Sequence, residues 1–297
     1  MPAKPRTLGD WLRWAEARYA RHRVALGQVA TTAHDEALYL LLHGLGLPLD
    51  SQVRVLRRIV TDDEAERVEE IFERRLKERV PAAYLTREAW LGPHRFFVDE
   101  RVIIPRSYFL ELLPEQIPQW LPARQPVRRV ADVCTGSGCL AVLLAHRFRR
   151  ARVDAIEISS DALAVARFNV AQHRLASRIR LWRSDVFDAV PRGRYDLILS
   201  NPPYVPAREL ADLPPEFRRE PALALDGGRD GFDVIRKLLR QARDRLQPHG
   251  IIAIEVGGLR AAMDRLFAEL DPHWLHTADG EDCVCVIQQA RLRAWRD

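Results

Sequence analysis

No apolar run in these 297 residues approaches the roughly 18 that a membrane-spanning helix requires, so no span is expected. Residues 1–6 lack the apolar stretch of a secretory signal. Cysteine is scarce, and Cys134, Cys139, Cys283 and Cys285 include no Cys-x-x-Cys pair. No metal site is therefore expected, and the thiols read as free in a cytoplasmic protein. Lysine occurs only at 4, 77 and 237, so arginine carries almost all of the positive charge. A net charge of +5 on a chain of this size is a weak electrostatic signature. Repeats and low-complexity tracts are absent too.

What is present begins with a strand over 130–133, a turn reading Cys134-Thr135-Gly136-Ser137-Gly138, and an apolar helical run over 140–145. Strand, glycine turn and helix form the layout that lets backbone and helix N-terminal N–H groups approach a nucleotide-like ligand. A second strand over 152–158 carries Glu157 about 20 residues beyond Gly138, where a carboxylate can accept from both ribose hydroxyls. Taken alone, this pattern also fits a dinucleotide-binding dehydrogenase. Asp132, inside the first strand, shifts the balance. A buried carboxylate is costly without partners. It can order the glycine turn, and it favours a cationic ligand over a pyrophosphate. A third strand over 179–182 leads to Asp185 and Val186, with Asp185 able to accept from an adenine amine.

A fourth apolar strand over 197–200 runs straight into Asn201-Pro202-Pro203-Tyr204. The prolines fix the backbone and remove two N–H donors, leaving carbonyl oxygens as acceptors. An amide oxygen, a carbonyl and an aromatic ring suit a planar –NH2, with two acceptors for its hydrogens and a ring against its face. The same tetrapeptide is also compatible with a plain turn.

Glycine turn, ribose acid, adenine acid and acceptor tetrapeptide, in that order, resemble the class I S-adenosylmethionine-dependent methyltransferases that modify planar nitrogens. Residues 81–85, 96–107 and 220–231 extend the likeness to the protein-glutamine methyltransferase family. That resemblance implies an α/β fold, a Rossmann-like seven-stranded sheet with a small N-terminal helical domain. It divides the chain into helices over 1–86, a hairpin linker over 87–107 and a catalytic domain over 108–297. It implies S-adenosylmethionine held by Asp132, Cys134, Thr135, Gly136, Ser137, Gly138, Glu157, Asp185, Val186 and Asn201. Asn201, Pro202, Pro203 and Tyr204 would be catalytic, and Arg106 would bind the methionine carboxylate or the acceptor backbone. Ser107-Tyr108 and the cysteine-flanked turn resemble the branch acting on large-subunit ribosomal protein three, free or in an assembling particle near ribosomal RNA. The sister branch acts on peptide chain release factors. A DNA adenine amino-methyltransferase shares the acceptor logic but ordinarily adds a target-recognition region, and a non-catalytic ribosome-assembly factor is the remaining alternative.

Elsewhere the expectations are structural. Helices are predicted from Thr7, over 33–43 with Gly44 ending it, and after a Thr61/Glu64 capping box with Val68, Ile71, Phe72 and Leu76 as the buried stripe. A hairpin turns at Gly92-Pro93. Helices over 233–246 and 259–270, a strand over 250–256 and a closing hairpin through Gly280 complete the pattern. His34 and His43 read as packing or surface residues rather than ligands, 226–231 as a surface turn, and Glu255 equally as a catalytic group or a partner for loop N–H groups.

Overall fold

The computed structural model describes residues 5–296. Helices α1 (Leu8–His22), α2 (Ala33–Gly44), α3 (Asp62–Leu76) and α4 (Ala82–Thr86) come first. Capping boxes open two of them. The Thr7 and Thr61 hydroxyls accept the N–H of Asp10 and Glu64, whose carboxylates bond back. Leu8, Trp11, Leu12 and Ala15 of α1 pack with Leu40 and Leu41 of α2 and with Val68, Phe72 and Leu76 of α3. Ile71 is only half-buried, at the edge of that stripe. α2 ends at Gly44, but its left-handed cap is Gly46 (φ +62°), beyond which the Leu47 N–H bonds the Leu42 carbonyl at 2.8 Å.

Strands β1 (Glu88–Leu91) and β2 (His94–Phe97) form the expected antiparallel hairpin, followed by the short α5 (Phe109–Leu112). Then β3 (Arg129–Val133), α6 (Cys139–Arg147), β4 (Arg152–Glu157), α7 (Ser160–Gln172), β5 (Ile179–Arg183) and β6 (Tyr195–Ser200) alternate. After α8 (Ala222–Leu225) come α9 (Asp233–Arg245), β7 (Leu246–Glu255), α10 (Arg260–Leu266), β8 (His273–Leu275), β9 (Val284–Gln288) and α11 (Gln289–Ala294). The helix expected over 259–270 is thus shorter, with single 3-10 turns at both ends. The seven strands order as β5-β4-β3-β6-β7-β9-β8, with β3 to β7 mutually parallel and β9 antiparallel to β7 and β8.

Helices cover both faces of this sheet, so its central strands are apolar on both sides. Val130, Leu197, Leu199, Ile251 and Ala253 pack with α6 on one face, while Ala131, Val133, Ile198, Ile252 and Ile254 pack with α9 on the other. Asp132 alternates with Val130 and therefore faces α6. The chain crosses from β5 back over β3 to β6, and at such a reversal the carboxyl ends of the strands open a crevice.

A buried ion network fastens the helical segment to this sheet. Arg75 is fully buried; its Nε donates to Glu36 Oε1 at 2.6 Å and its Nη2 to the Ala25 carbonyl at 3.0 Å. The Tyr19 hydroxyl donates to the same Glu36 oxygen at 2.9 Å. Glu216, between β6 and α8, sits 3.7 Å from Arg75 Nη1 and accepts from Arg79 Nη1 at 2.8 Å. Removing one member strands the others in an apolar site. Arg75→Met is expected to cost roughly 3–5 kcal/mol in urea unfolding, and pairing it with Glu36→Leu to recover much of that. A single variant within about 1 kcal/mol of the parent would mean that water reaches the network.

Candidate active site

Because β3 to β7 are parallel, the residues that follow them share one edge. A cavity of about 460 Å³ opens there, lined by residues 134–137, Glu157, 184–186, 201–205 and the approach segment 101–107. Of the other members of the predicted set, Asp132 lies within β3 and Gly138 caps α6, both outside the lining. Residues 101–107, expected as part of a linker, form one wall of this cavity.

The glycine turn needs its glycines. Gly136 (φ +52°) and Gly138 (φ +81°) are left-handed, and a Cβ on Gly138 would meet Ala166 of α7 at 3.3 Å. Two residues that normally avoid this region adopt it here: Cys134 at φ +63° and Val186 at φ +52°. Such strain clusters where backbone is shaped for a ligand. Asp132 is fully buried and accepts from the Thr135 hydroxyl at 2.5 Å. Burial pushes its carboxyl up to about 7, against the hydrogen bonds of Thr135 and the Ala141 N–H. Glu157 accepts the N–H groups of Gly136, Ile158 and Ser159, each at 3.0 Å, so it shapes the turn as well as facing the cavity. Its carboxyl is also raised by burial. Asp185 is half exposed and pairs with Lys237 at 2.7 Å. Burial pushes the Cys139 thiol up to about 12 and Cys134 well above its ordinary value, so neither is a nucleophile.

The acceptor tetrapeptide is held from outside itself. The Val205 N–H bonds the Leu225 carbonyl and the Gly227 N–H bonds the Val205 carbonyl, both at 2.9 Å. A Cβ on Gly227 or Gly231 would strike Tyr204 backbone at 2.8 or 2.5 Å, and one on Gly257 would strike its ring at 2.5 Å. Residues 226–231 are therefore the bed of the tetrapeptide, which corrects their reading as a surface turn. Among the described residues no donor bonds the Pro202 carbonyl, so both its lone pairs remain for a ligand. Glu255, at the end of β7, accepts from the Ser107 hydroxyl at 2.5 Å. Burial raises its carboxyl to about 7, against hydrogen bonding from Ser107, the Tyr108 N–H and the Asn201 side chain. Asn201, just beyond β6, and Glu255, at the end of β7, stand beside one another at this edge.

Arg106 differs from its expected role as a free anion receptor. Its Nη1 and Nη2 hold both oxygens of buried Glu220, at 2.7 and 2.8 Å, and Nη1 also reaches the Ile104 carbonyl at 3.2 Å. Glu220 in turn accepts from Gln28 of the helical segment at 2.6 Å. Sequence reasoning also missed buried Asn169, which bonds both backbone groups of Phe97 and the Ser137 carbonyl at 2.8–3.0 Å. It ties hairpin to glycine turn. A lone amide in a helical run carries no local signal of such a role.

Glu157, Asp185 and Asp226 line the cavity, and of its two basic residues Arg106 is neutralised by Glu220 and Arg101 by Asp99 at 2.6 Å. Such a lining opposes a pyrophosphate and fits a cationic nucleoside.

Residues 110–214 match the family model described as methyltransferase small domain, and residues 10–86 match the PrmC N-terminal domain. A ribosomal protein uL3 glutamine methyltransferase of Bordetella pertussis is 46% identical over 286 residues, 96% of each chain. The protein of that name from Burkholderia pseudomallei is 44% identical over 300 residues, covering 99% of this chain and 98% of its own. Among solved structures, the hMettl16 catalytic domain in complex with a MAT2A 3'UTR hairpin superposes with TM-score 0.54 at 17% identity. The match covers 86% of this chain and 91% of that one, a likeness of fold.

Asp132 yields a test independent of activity. Its folded-state value, about 7, lies above the unfolded 3.8, so the fold favours the protonated form. That stabilisation is complete below the unfolded value and is lost as pH rises through about 7. Between pH 5 and 8 the ligand-free protein should lose on the order of 2–3 kcal/mol through this group. Asp132→Asn should lose less over the same interval, by guanidinium denaturation at both pH values. Equal losses in the two proteins would refute the assignment.

Proposed function

The chain belongs to the ribosomal protein uL3 glutamine methyltransferase family, and from that premise we propose that it methylates the side-chain amide nitrogen of a glutamine in ribosomal protein uL3, with S-adenosylmethionine as donor. The observation that carries the reading is the pair of acceptors at Asn201 and Pro202, open at the mouth of an acidic nucleoside-sized cavity. Bound there, S-adenosylmethionine supplies an electrophilic methyl group on a sulfonium.

The difficulty lies with the acceptor, because an amide nitrogen's lone pair is delocalised into its carbonyl. Asn201 Oδ1 and the Pro202 carbonyl accept the two amide hydrogens and fix the nitrogen's orientation. Tyr204 packs on the amide plane; burial pushes its phenol up to about 12, so its hydroxyl is no base at neutral pH. Positioning of this kind is worth up to about 7–11 kcal/mol in favourable cases. No strong base is required beforehand, since an N-alkylated amide cation is very acidic and sheds its proton afterwards. Glu157 would hold the ribose hydroxyls, Asp185 the adenine amine, and residues 134–138 approach with backbone. Arg106 acts through Glu220 as a strut of the cavity wall. The helices within 1–86 serve as a docking surface for the protein substrate, 87–107 as the connecting hairpin and 108–297 as the catalytic part. The protein acts in the cytoplasm, where its substrate is made.

Asn201→Ala should lower kcat by roughly 10²–10³-fold, the scale for one oriented polar group lost at a reacting centre, with donor affinity by calorimetry little changed. A collapse of donor affinity instead would make Asn201 a cofactor residue and overturn these roles. Substrate identity is tested with tritiated donor offered to unmethylated uL3, release factor and duplex DNA, label being expected in uL3. Label in release factor alone would overturn the substrate while leaving the chemistry in place.

Glu255 gives a pH signature. As a carboxylate it holds the Asn201 NH2, and as an acid it can donate, which frees the amide to turn over. With its value near 7, kcat should fall as pH drops from about 8 to 6. Glu255→Gln should flatten that profile at reduced rate, and a profile unchanged by the substitution would remove Glu255 from the mechanism.

A further inference from the structure

Three histidines far apart in sequence meet on the side of the sheet that carries α6. His94 begins β2, His146 lies in the last turn of α6, and His173 is the residue that caps α7. One ring nitrogen from each lies within 4.8 Å of the other two, the one grouping among the described residues with spacing suited to a metal ion. The His94 and His146 rings stack with centroids 4.6 Å apart, and His173 meets both edge-on at 5.7 and 6.2 Å. We propose that His94, His146 and His173 form a zinc-type divalent metal site that clamps the β-hairpin to α6 and α7.

Three observations carry this. First, His173 Nε2 lies 2.9 Å from the Arg95 carbonyl, which can only accept, so Nε2 carries the proton and Nδ1 is left with its lone pair. A ligand histidine whose other nitrogen donates to a backbone carbonyl is the usual outer arrangement at metal sites. Second, α6 and α7 both end at the cluster, and helix C-termini favour a cation. Arg149 and Arg178 oppose it, so the affinity must come from the imidazole nitrogens. Third, His146 is exposed and the other two half-buried, so an ion can enter and the fourth position is open to water.

Metal-to-nitrogen bonds of about 2.0–2.1 Å bring tetrahedral ligands closer together than these rings now stand. The stacked pair must tilt, and rotation of an exposed His146 side chain provides that. The clamp would join three elements whose other ends meet the cavity: α6 starts at the glycine turn, α7 follows Glu157, and β2 leads into the wall over 101–107.

The test uses the full chain, stripped with chelator. Zinc titrated by calorimetry should bind at one ion per chain, and at about a hundred-fold excess over Kd should raise Tm by roughly 5 °C. Magnesium, which prefers oxygen, should raise neither signal. His146→Ala and His173→Ala should each abolish the response while keeping the far-ultraviolet circular dichroism of the parent. Cobalt in the unmodified protein should give a visible spectrum of nitrogen and oxygen ligation without thiolate-to-metal bands. Thiolate bands, absence of saturable zinc binding, or a zinc response surviving in both variants would each overturn the site. The cobalt measurement decides the matter even if a variant fails to fold.

Discussion

The Asn201-Pro202-Pro203-Tyr204 loop keeps its shape because Tyr204 is hemmed in by glycine backbone from two distant segments. Gly227 and Gly231 abut its main chain and Gly257 its ring, at separations where any Cβ would collide. Two prolines stiffen 202–203, but stiffness alone does not aim a carbonyl. The aim comes from the pairing of Val205 with Leu225 and Gly227, which fixes where the chain goes after leaving β6. Asn201 is fixed at the other end by a strand buried along its whole length. The loop therefore has little freedom to average its acceptors over several directions. Glycine is needed at 231 and 257 for a second reason as well, since their φ of +87° and +51° are unfavourable for other residues.

The same logic extends to the helical segment. Glu216 and Glu220 lie on the strap that follows the tetrapeptide, and both are buried. One is gripped by Arg79 and faces Arg75, the other by Gln28 and Arg106. A buried carboxylate released from such partners is expensive, so these contacts behave as all-or-none joints. Through Glu220 the helices share one carboxylate with the cavity wall. Were the protein substrate to dock on those helices, as proposed, this joint would position it relative to Asn201 without any contact of its own to the cofactor cleft. The Arg106–Phe217 contact, 5.3 Å from guanidinium to ring centroid, adds an apolar seat to the joint.

What could be read from the chain was what local chemistry dictates. The glycine turn, Glu157, Asp185 and Asn201 all stand at strand ends announced by apolar runs, and parallel strands bring such ends together. The capping boxes of α1 and α3 were equally legible, because their partners lie three residues away. Gly44 misled because two glycines stand near the end of α2, and only the bond from Leu47 back to Leu42 selects Gly46. Residues 226–231 misled more seriously. Their glycines look like turn formers, yet their neighbour is Tyr204, and no periodicity reports an approach between separate loops. Arg106 with Glu220, Asn169 with Phe97, and the three histidines are pairings across many tens of residues. Sequence pattern is silent about all of them.

Why position 201 carries an amide rather than an acid follows from its neighbour. Glu255 is a buried carboxylate already pushed up to about 7 by its burial, against the stabilisation of its charge by Ser107, Tyr108, Arg106 and Asn201. A second carboxylate at 201 would stand beside it, and neighbouring carboxylates resist ionising together. One would hold a proton, and the oxygen offered to the substrate would become an uncertain mixture of donor and acceptor. Asparagine avoids this with one planar group of opposed polarity. In the proposed arrangement its NH2 turns toward Glu255, which leaves its oxygen for the cavity. The side chain would then be a fixed acceptor at any pH where Glu255 is ionised. Orientation, rather than basicity, is what a poorly nucleophilic amide nitrogen requires. In the proposed mechanism one buried carboxylate behind the asparagine supplies it without entering the chemistry.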